Sequence, residues 1–307
     1  MKEIKELLRP LPLIRSKGKT TPVYHLGGIW ENRLGLQVGR VLLKNLFWQL
    51  RRRNGDESVA EYVETLHRDG VLAIEDFLSE ADFASVVEEY RSAMSKVTPK
   101  PYKGLENAKL FRTQIPVSDD ISQFPNINRL FRQNRFLRDI AAGAIRRNIV
   151  QDPTVFLDKY VCLNPLGVEN DIENILHADL HTPTVKMFFY LNQVNEENGA
   201  FVYAKRSHTL NFNRLRHEYE LSVRQARMRK GLPISEDLIE SRGAETRNVI
   251  SPEHYRLMDV DETQFCVRPN TLLIANNMGF HRRGEFNCST PREALLISFR
   301  NSERIFF

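Results

Sequence analysis

A short stretch near the middle of the chain carries three metal-competent side chains at alternate positions. Residues 175–191 read ILHADLHTPTVKMFFYL, and His177, Asp179 and His181 are spaced two apart within this otherwise apolar run. On a β-strand, residues i, i+2 and i+4 point to one face of the sheet. Pro183 and its β-branched neighbours argue against a helix here. The spacing therefore predicts three polar side chains on one face of a core strand.

Two imidazoles and a carboxylate are costly to bury unless something satisfies them, and a divalent cation does so. Two histidines and one carboxylate on one face, with coordination positions left open, suit non-haem Fe(II). A structural zinc site usually has four ligands, with thiolates or more histidines. Cys162, Cys266 and Cys288 show no spacing that supplies such a set. Iron is therefore the favoured metal, and a zinc hydrolase is a lesser alternative.

A further ligand is expected from a different strand. Outside the stretch and its surroundings, the histidines are His25, His67, His217, His254 and His281. Only His281 lies between two strand-like segments, NTLLIANNMGF and EALLISFR. We interpret His217 and His254, which lie in a charged segment, as surface residues. His208, in the phrase KRSH, is predicted to stabilise a loop at a strand end. His281 is thus the candidate ligand.

The elements that must position these residues change character near residue 150. Before it, residues 58–96 predict a helix that ends at Asp69-Gly70, a strand over Val71–Ile74 and a second helix capped by Ser79. Residues 126–148 predict another amphipathic helix. Beyond residue 150 the hydrophobic period is two, and Asn198-Gly199 between two strand-like runs predicts a hairpin. The chain is predicted to be an α+β protein, with an antiparallel sandwich or barrel and N-terminal helices.

The net charge of +5 is concentrated at the N-terminus. Residues 1–53 hold 12 Lys/Arg and 3 Glu, so this segment carries +9 and the remainder −4. A nucleic-acid-binding domain would need a basic face on its folded part, so no nucleic-acid partner is expected. Within this segment, residues 33–53 predict a basic amphipathic helix. We expect it to pack on the core with its basic side in water; the alternative is peripheral contact with an anionic membrane surface.

Other bulk features bound the class of protein. No run approaches the roughly 18 apolar residues of a membrane span, and three scattered cysteines favour a reducing compartment. A cytoplasmic protein, in peripheral contact with the membrane if residues 33–53 bind it, is therefore expected. Residues 209–250 interrupt the strands with a charged, helix-prone insert, which we interpret as a candidate lid over the barrel mouth.

The motifs after residue 58 resemble one known family. Four features occur in the order found in the phytanoyl-CoA dioxygenase family. They are the pair His177-Ala178-Asp179, the phrase from Glu197-Asn198-Gly199 to Ser207-His208, then His281 and, eleven residues later, Arg292. That family comprises iron(II)- and 2-oxoglutarate-dependent oxygenases. The resemblance spans roughly residues 58–302, and the ordered set is far more specific than an H-x-D pair alone.

The resemblance implies a fold, a cofactor set and a role for each site residue. The fold would be a double-stranded β-helix (a jelly-roll or cupin-like barrel) over residues 58–307, buttressed by N-terminal helices, with residues 1–57 as a basic arm. His177, Asp179 and His281 would hold Fe(II), and Arg292 would form two parallel hydrogen bonds with the distal carboxylate of 2-oxoglutarate. His181 is an alternative to His177 as ligand, and order and spacing favour His177.

The expected activity follows from the same resemblance. With O2, the enzyme would hydroxylate an unactivated C–H bond of a small-molecule or lipid-linked substrate, which is anionic or membrane-associated, and release succinate and CO2. The presence of Asp179 favours hydroxylation over halogenation, because related halogenases have a small residue there. The alternative from a different class is a non-catalytic jelly-roll protein that binds an anionic ligand or a membrane surface.

Overall fold

The computed structural model describes residues 27–51, 56–102, 110–117, 122–146, 149, 152–164, 172–179, 184–232 and 248–299. The α-helices in these ranges are α1 (Ile29–Arg33), α2 (Leu36–Leu50), α3 (Ala60–Arg68), α4 (Glu80–Met94), α5 (Pro125–Ile127), α6 (Arg135–Ile145), α7 (Phe212–Met228) and α8 (Pro252–Met258). The strands are β1 (Val71–Ile74), β2 (Lys100–Pro101), β3 (Leu110–Pro116), β4 (Thr154–Cys162), β5 (His177–Ala178), β6 (Val185–Tyr190), β7 (Phe201–Ala204), β8 (Asn248–Val249), β9 (Glu262–Phe265), β10 (Thr271–Asn276), β11 (His281–Arg283) and β12 (Arg292–Phe299).

The strands form two antiparallel sheets. The larger sheet has the order β1-β10-β6-β12-β4-β3-β2, and the smaller has the order β8-β5-β11-β7-β9. Every named strand pair is antiparallel. This combination of helices and antiparallel sheets confirms the predicted α+β class.

The larger sheet separates the main hydrophobic core from the smaller sheet. Its side chains alternate along each strand, as period-two patterning requires. One face packs against the helices, through residues such as Leu157, Phe189 and Leu295 from the strands and Val86, Phe131 and Ile140 from the helical side. The opposite face meets the smaller sheet, through residues such as Tyr190, Ala294, Phe201 and Tyr203. Burying each large apolar side chain contributes about 1.5–3 kcal/mol, so the helical side anchors the sheet.

The N-terminal helix–strand–helix unit forms as predicted. Helix α3 is followed by Gly70 at φ +83°, β1 begins at Val71, and Ser79 caps α4 by accepting a hydrogen bond from the Asp82 amide. Gly70 is also tightly enclosed, because a Cβ there would lie 2.4 Å from Tyr203 Oη. The glycine therefore ends the helix and lets the backbone approach the smaller sheet.

The single helix predicted over residues 126–148 is broken in two. Helix α5 continues into a π-helical turn over Asn128–Arg132, and α6 starts anew at Arg135. The break occurs at Asn134, whose side chain accepts from the Leu137 amide and donates to the Leu130 carbonyl. Asn134 thus ends one helical segment and caps the next, which a hydrophobic period alone cannot reveal.

The hairpin predicted at Asn198-Gly199 is wrong. These residues do form a turn, with Gly199 at φ +81°, but the turn lies in a connection that leaves β6 in the larger sheet and reaches β7 in the smaller one. The Asn198 side chain accepts from the Asn195 amide and donates to the Gln193 carbonyl. The turn is therefore closed by its own side chain rather than by pairing of the flanking strands.

Helix α2 forms within the predicted range, but its orientation is the reverse of the expected one. Gln37 and Arg40 are buried, whereas the leucines on the opposite side are exposed. The cause is Glu218, a fully buried residue of α7. Gln37 Nε2 donates to Glu218 Oε2 at 3.1 Å, and Arg40 Nη1 donates to Gln37 Oε1 at 2.8 Å. The polar stripe faces inward because a buried carboxylate needs donors.

Helix α7 supplies a buried polar cluster instead of a solvated charged surface. Arg214 is almost fully buried and bonds Glu218 Oε1 at 3.1 Å. The interpretation of His217 and His254 as surface residues is wrong, since both are buried. His217 Nε2 lies 2.6 Å from Asn248 Oδ1, so its imidazole joins the same cluster. Residues 233–247 of the insert lie outside the described residues, and the lid and the boundary at residue 57 stay predictions.

Candidate metal centre

Two neighbouring strands of the smaller sheet bring the candidate ligands together. His177 opens β5 and His281 opens β11, and the two residues are directly paired in the antiparallel register. Asp179 follows β5 by one residue, so it returns to the face that His177 occupies. One ligand atom from each of these three residues lies within 4.8 Å of the other two. The predicted His177, Asp179 and His281 are therefore adjacent in space; their assignment as metal ligands is a proposal.

Backbone carbonyls fix both imidazole rings. His177 Nδ1 lies 2.7 Å from the Ile175 carbonyl oxygen, and His281 Nδ1 lies 3.0 Å from that of Gly279. A carbonyl only accepts, so each Nδ1 carries a proton, and in the neutral ring Nε2 then holds the lone pair. The Nε2 atoms lie 4.0 Å and 3.8 Å from the two carboxylate oxygens of Asp179. This orientation is the one that a metal-binding histidine needs.

The local electrostatics favour the protonation states that bind a cation. Burial lowers the pKa of His281 to about 4, so its imidazole is neutral at pH 7. Burial opposes ionisation of Asp179, but the charge and hydrogen bond of Lys186 and the neighbouring imidazoles of His281 and His177 together outweigh it, so the pKa of the carboxyl lies well below its usual value. Lys186 Nζ is 2.5 Å from Asp179 Oδ2. The site thus offers a neutral imidazole and an anionic carboxylate.

The triad opens onto a cavity between the two sheets with a volume of about 190 Å³. From the larger sheet, the cavity is lined by Arg112, Tyr160, Lys186, Phe188 and Arg292. From the smaller sheet, it is lined by His177, Phe201, His281, Arg282 and Arg283. A concave site with a few convergent polar groups is where ligands usually bind.

Arg292 lies in the same cavity, at the first position of β12. Its side chain is buried, its guanidinium carbon lies 4.6 Å from the centroid of the Tyr160 ring, and Nη1 donates to the Gly199 carbonyl. Among the described residues, no carboxylate forms an ion pair with Arg292. A buried guanidinium with unused donors in a cavity is suited to an anionic ligand.

Four cations that sequence analysis did not single out line the cavity (Arg112, Lys186, Arg282 and Arg283), and two of them, Lys186 and Arg283, follow a recognisable pattern. Lys186 follows the alternation of β6, on the face of Phe188, and Arg283 lies two residues after His281 on β11. The period-two argument that placed His177 beside Asp179 would also have found them. Burial lowers the pKa of Arg283 to about 10, which still leaves this guanidinium charged at pH 7.

The remaining polar residues near the triad in sequence do not all reach the cavity. His181 lies outside the described residues. His208 is buried away from the triad, with Nε2 3.0 Å from the His67 carbonyl, and so ties the turn after β7 to helix α3. On β4 and just after it, Tyr160 lines the cavity. Lys159 instead pairs with Glu293 at 2.8 Å, and Asn164 does not line the cavity.

Two buried histidines outside the triad make the free energy of unfolding depend on pH. Burial lowers the pKa of His208 to about 4 and that of His217 to about 3, from an ordinary value of 6.5. The unfolded chain therefore binds protons at these rings around pH 6.5, while the folded chain does not until much lower pH. The free energy of unfolding is expected to fall as the pH drops below about 6.5, by roughly 1.4 kcal/mol per pH unit for each histidine.

Urea unfolding of the metal-free protein between pH 8 and pH 4.5 measures this effect. The variant His217→Asn is expected to show a shallower decline below pH 6.5 than the wild type. Between pH 7 and pH 8 the two should show equal slopes, which serves as the internal control. If the wild type and His217→Asn showed the same slope below pH 6.5 as well, the assignment of His217 as a neutral buried group would be contradicted.

Comparisons with known proteins give only a weak likeness. No family model matches the chain, and no curated protein matches it. Among solved structures, the non-heme alpha-ketoglutarate-dependent epimerase SnoN from nogalamycin biosynthesis aligns at 11% identity and a TM-score of 0.48, over 80% of this chain and 84% of SnoN. AviO1 from Streptomyces viridochromogenes Tue57 aligns at 12% identity and a TM-score of 0.47, over 81% of this chain and 96% of AviO1.

HygX from Streptomyces hygroscopicus, in a structure with nickel and 2-oxoglutarate bound, aligns at 16% identity and a TM-score of 0.46, over 80% of this chain and 87% of HygX. These TM-scores are all below 0.5, so the function is argued from the residues of this chain. In the part of the chain that the structure describes, no helix has the length and apolar character needed to cross a membrane.

Proposed function

We propose that this protein is an Fe(II)- and 2-oxoglutarate-dependent oxygenase that hydroxylates an unactivated C–H bond of a small-molecule or lipid-linked substrate, with release of succinate and CO2. One observation carries the proposal. Two imidazole Nε2 atoms and a carboxylate converge at a cavity that also holds the buried Arg292, for which the described residues supply no carboxylate. We also propose that the two sheets form a double-stranded β-helix, of the jelly-roll kind found in phytanoyl-CoA dioxygenase-like proteins.

The donor set fits the proposed metal. His177, Asp179 and His281 provide two nitrogens and one oxygen, which is the ligand set of non-haem Fe(II) sites that keep open positions. The metal and 2-oxoglutarate, when bound, would supply the activation of O2 and the oxidising power for the C–H bond. The protein's own contribution is to hold these groups in a dry and oriented site.

The residues around the triad keep its charge and geometry fixed. The carbonyls of Ile175 and Gly279 hold the Nδ1 protons of the two histidines, so that both Nε2 atoms stay available. Lys186 holds one oxygen of Asp179 and keeps the carboxyl ionised. Orienting contacts of this kind contribute strongly to metal affinity.

Arg292 would bind the distal carboxylate of 2-oxoglutarate. Its side chain lies against Tyr160, which restricts the guanidinium to one orientation, and the Gly199 carbonyl holds one of its nitrogens. The remaining N–H groups can form the paired hydrogen bonds that a carboxylate accepts. In this buried setting the interaction would be stronger than in water.

The charges that line the cavity indicate which charge the substrate carries. Its lining holds five cationic side chains (Arg112, Lys186, Arg282, Arg283 and Arg292) and three carboxylates (Asp158, Glu173 and Asp179). Arg282 is already paired with Glu262, outside the lining, and a divalent metal and the dianion of 2-oxoglutarate cancel each other, so an excess of one positive charge would remain. We therefore propose that the substrate is anionic near the bond that is oxidised.

The two alternatives leave more unexplained. A zinc hydrolase would give no role to Arg292, whose buried charge is expensive without an anionic ligand. A non-catalytic protein that binds an anion would use the arginines but would have no need for the convergent triad. The oxygenase uses both groups of residues.

Absorption spectroscopy under anaerobic conditions tests the proposal. Fe(II) and 2-oxoglutarate added together to the protein are expected to give a weak visible metal-to-ligand charge-transfer band. The band should be absent with either component alone and in the variant His177→Ala. A folded wild-type protein that binds Fe(II) and 2-oxoglutarate but shows no band would refute joint coordination at this site.

A further inference from the structure

The surface of α1 and α2 exposes an unusual amount of apolar side chain. We define the α2 face by its exposed residues: Leu36, Leu42, Leu43, Leu46, Phe47 and Leu50. Trp30 in α1 and Leu34 just after it are also exposed, at 70% and 88%. At 3.6 residues per turn, the α2 residues cover an arc of about 140° that contains no charged side chain. Single exposed leucines are common, but a continuous patch of this kind marks an interaction site.

The buried side of α2 fixes this orientation. Gln37 bonds Glu218, which also accepts from Arg214 and Asn248. Turning the leucines inward would break the hydrogen bond from Gln37 to Glu218 Oε2 and place apolar side chains against a buried carboxylate, which is unfavourable. The α2 face is therefore held outward by the polar core beneath it.

Positive charge surrounds the α2 face. Arg33 is the last residue of α1, Arg51 directly follows α2, and Arg229, directly after α7, donates to the Gly27 carbonyl. The sequence has no acidic residue from position 32 to position 55, and residues 1–53 carry +9 in total. A second copy of the chain seated on this face would bring two such positive segments together, which opposes self-association.

We propose that the α2 face docks this protein onto an anionic lipid surface, with α2 lying in the plane of the membrane. An apolar helix face between cationic residues is the arrangement that binds at the boundary of headgroups and acyl chains. Helix α2 has 15 residues and is about 22 Å long, too short to cross the roughly 30 Å hydrocarbon core. This inference is independent of the proposed enzymatic function.

The position of the α2 face relates it to the candidate metal centre. Glu218 links α2 to Asn248 of β8, and Asn248 pairs with Ala178, the neighbour of both His177 and Asp179. The docking surface is thus one buried cluster away from β5, the strand that carries His177.

Vesicle flotation with the full chain tests the proposal. The vesicles contain either phosphatidylcholine alone or equal parts of phosphatidylcholine and phosphatidylserine. The wild type is expected to float with the anionic vesicles, and less so as salt is raised. The variant Leu42→Gln/Leu46→Gln/Leu50→Gln should lose at least about tenfold in binding, since three apolar side chains are removed from the contact.

Matched controls separate docking from general stickiness and from misfolding. Leu163 and Leu257 are exposed elsewhere, so Leu163→Gln/Leu257→Gln should bind vesicles like the wild type. Glutamine keeps a high helix propensity, and circular dichroism should show unchanged helix content in the triple variant. Three results would each overturn the proposal: no flotation of the wild type, equal flotation of the triple variant, or a wild-type dimer that the triple variant converts to a monomer.

Discussion

Replacing His281 with alanine is expected to abolish metal binding while the protein stays folded. His281 supplies one of three convergent ligand atoms, and its Nε2 lies 3.8 Å from Asp179 Oδ2. Loss of a metal ligand should weaken Fe(II) affinity by well over the roughly 10–100-fold that loss of an orienting partner costs. Conversion of 2-oxoglutarate to succinate should fall by at least about 10³-fold, because the metal supplies the chemistry.

Thermal unfolding under anaerobic conditions gives a readout that does not depend on turnover. A metal present at 100 times its Kd should stabilise the wild type by about 2.7 kcal/mol, and His281→Ala by almost nothing. The matched control is His208→Ala, which removes another buried histidine outside the triad and should retain the metal-induced shift. An undiminished shift in His281→Ala, or its loss in His208→Ala, would mean that the ligands are assigned wrongly.

Replacing Arg292 with glutamine is expected to weaken 2-oxoglutarate binding by about 100-fold, or roughly 2.7 kcal/mol, and to leave metal affinity nearly unchanged. The guanidinium is buried and forms no ion pair with a carboxylate of the described residues, so we expect the ligand to provide one. The Kd of 2-oxoglutarate for Arg292→Lys should lie between those for the wild type and Arg292→Gln, because lysine keeps the charge but loses the paired hydrogen-bond geometry. The Kd of 2-oxoglutarate for the Mn(II)-loaded protein, measured by calorimetry, separates these cases.

Arg282→Gln is the matched control for Arg292. Arg282 also lines the cavity, but it is already paired with Glu262 at 3.1 Å. Its replacement should change the Kd of 2-oxoglutarate by less than about threefold, as expected for a partly exposed ion pair. The assignment fails if Arg282→Gln shows the larger loss, or if Arg292→Gln binds 2-oxoglutarate like the wild type.

Local sequence patterns were sufficient to predict the elements that hold the candidate site. Period-two alternation placed His177 beside Asp179, and chain order identified His281 on another strand. The cap at Ser79 and the helix end at Gly70 were also predictable, because each depends on a few consecutive residues. The same alternation pointed to Lys186 and Arg283, but an isolated lysine or arginine has no distinctive spacing to mark it as part of a site.

What the sequence did not reveal depends on partners far along the chain. The inward side of α2 is set by Glu218, 181 residues after Gln37, and no hydrophobic period records a buried carboxylate. His217 is buried for a similar reason, since its partner Asn248 lies 31 residues away. The turn at Asn198-Gly199 was recognised, but its local chemistry does not state which sheet receives the next strand. Residue pairing across the whole fold decides each of these cases.

The strand order has a consequence for how the chain folds during synthesis. In the larger sheet β1 pairs with β10, and Val71 lies opposite Ala275. Among the described strands, β1 therefore has no neighbour until the chain has been synthesised to residue 275. At about 5–20 residues per second, a ribosome needs roughly 10–40 s to make the intervening residues. During that interval the β1-β10-β6-β12 part of the sheet that covers the apolar side of helices α3 and α4 is incomplete. Folding is therefore expected to be largely post-translational and slow, with chaperone demand concentrated on the N-terminal half of the nascent chain.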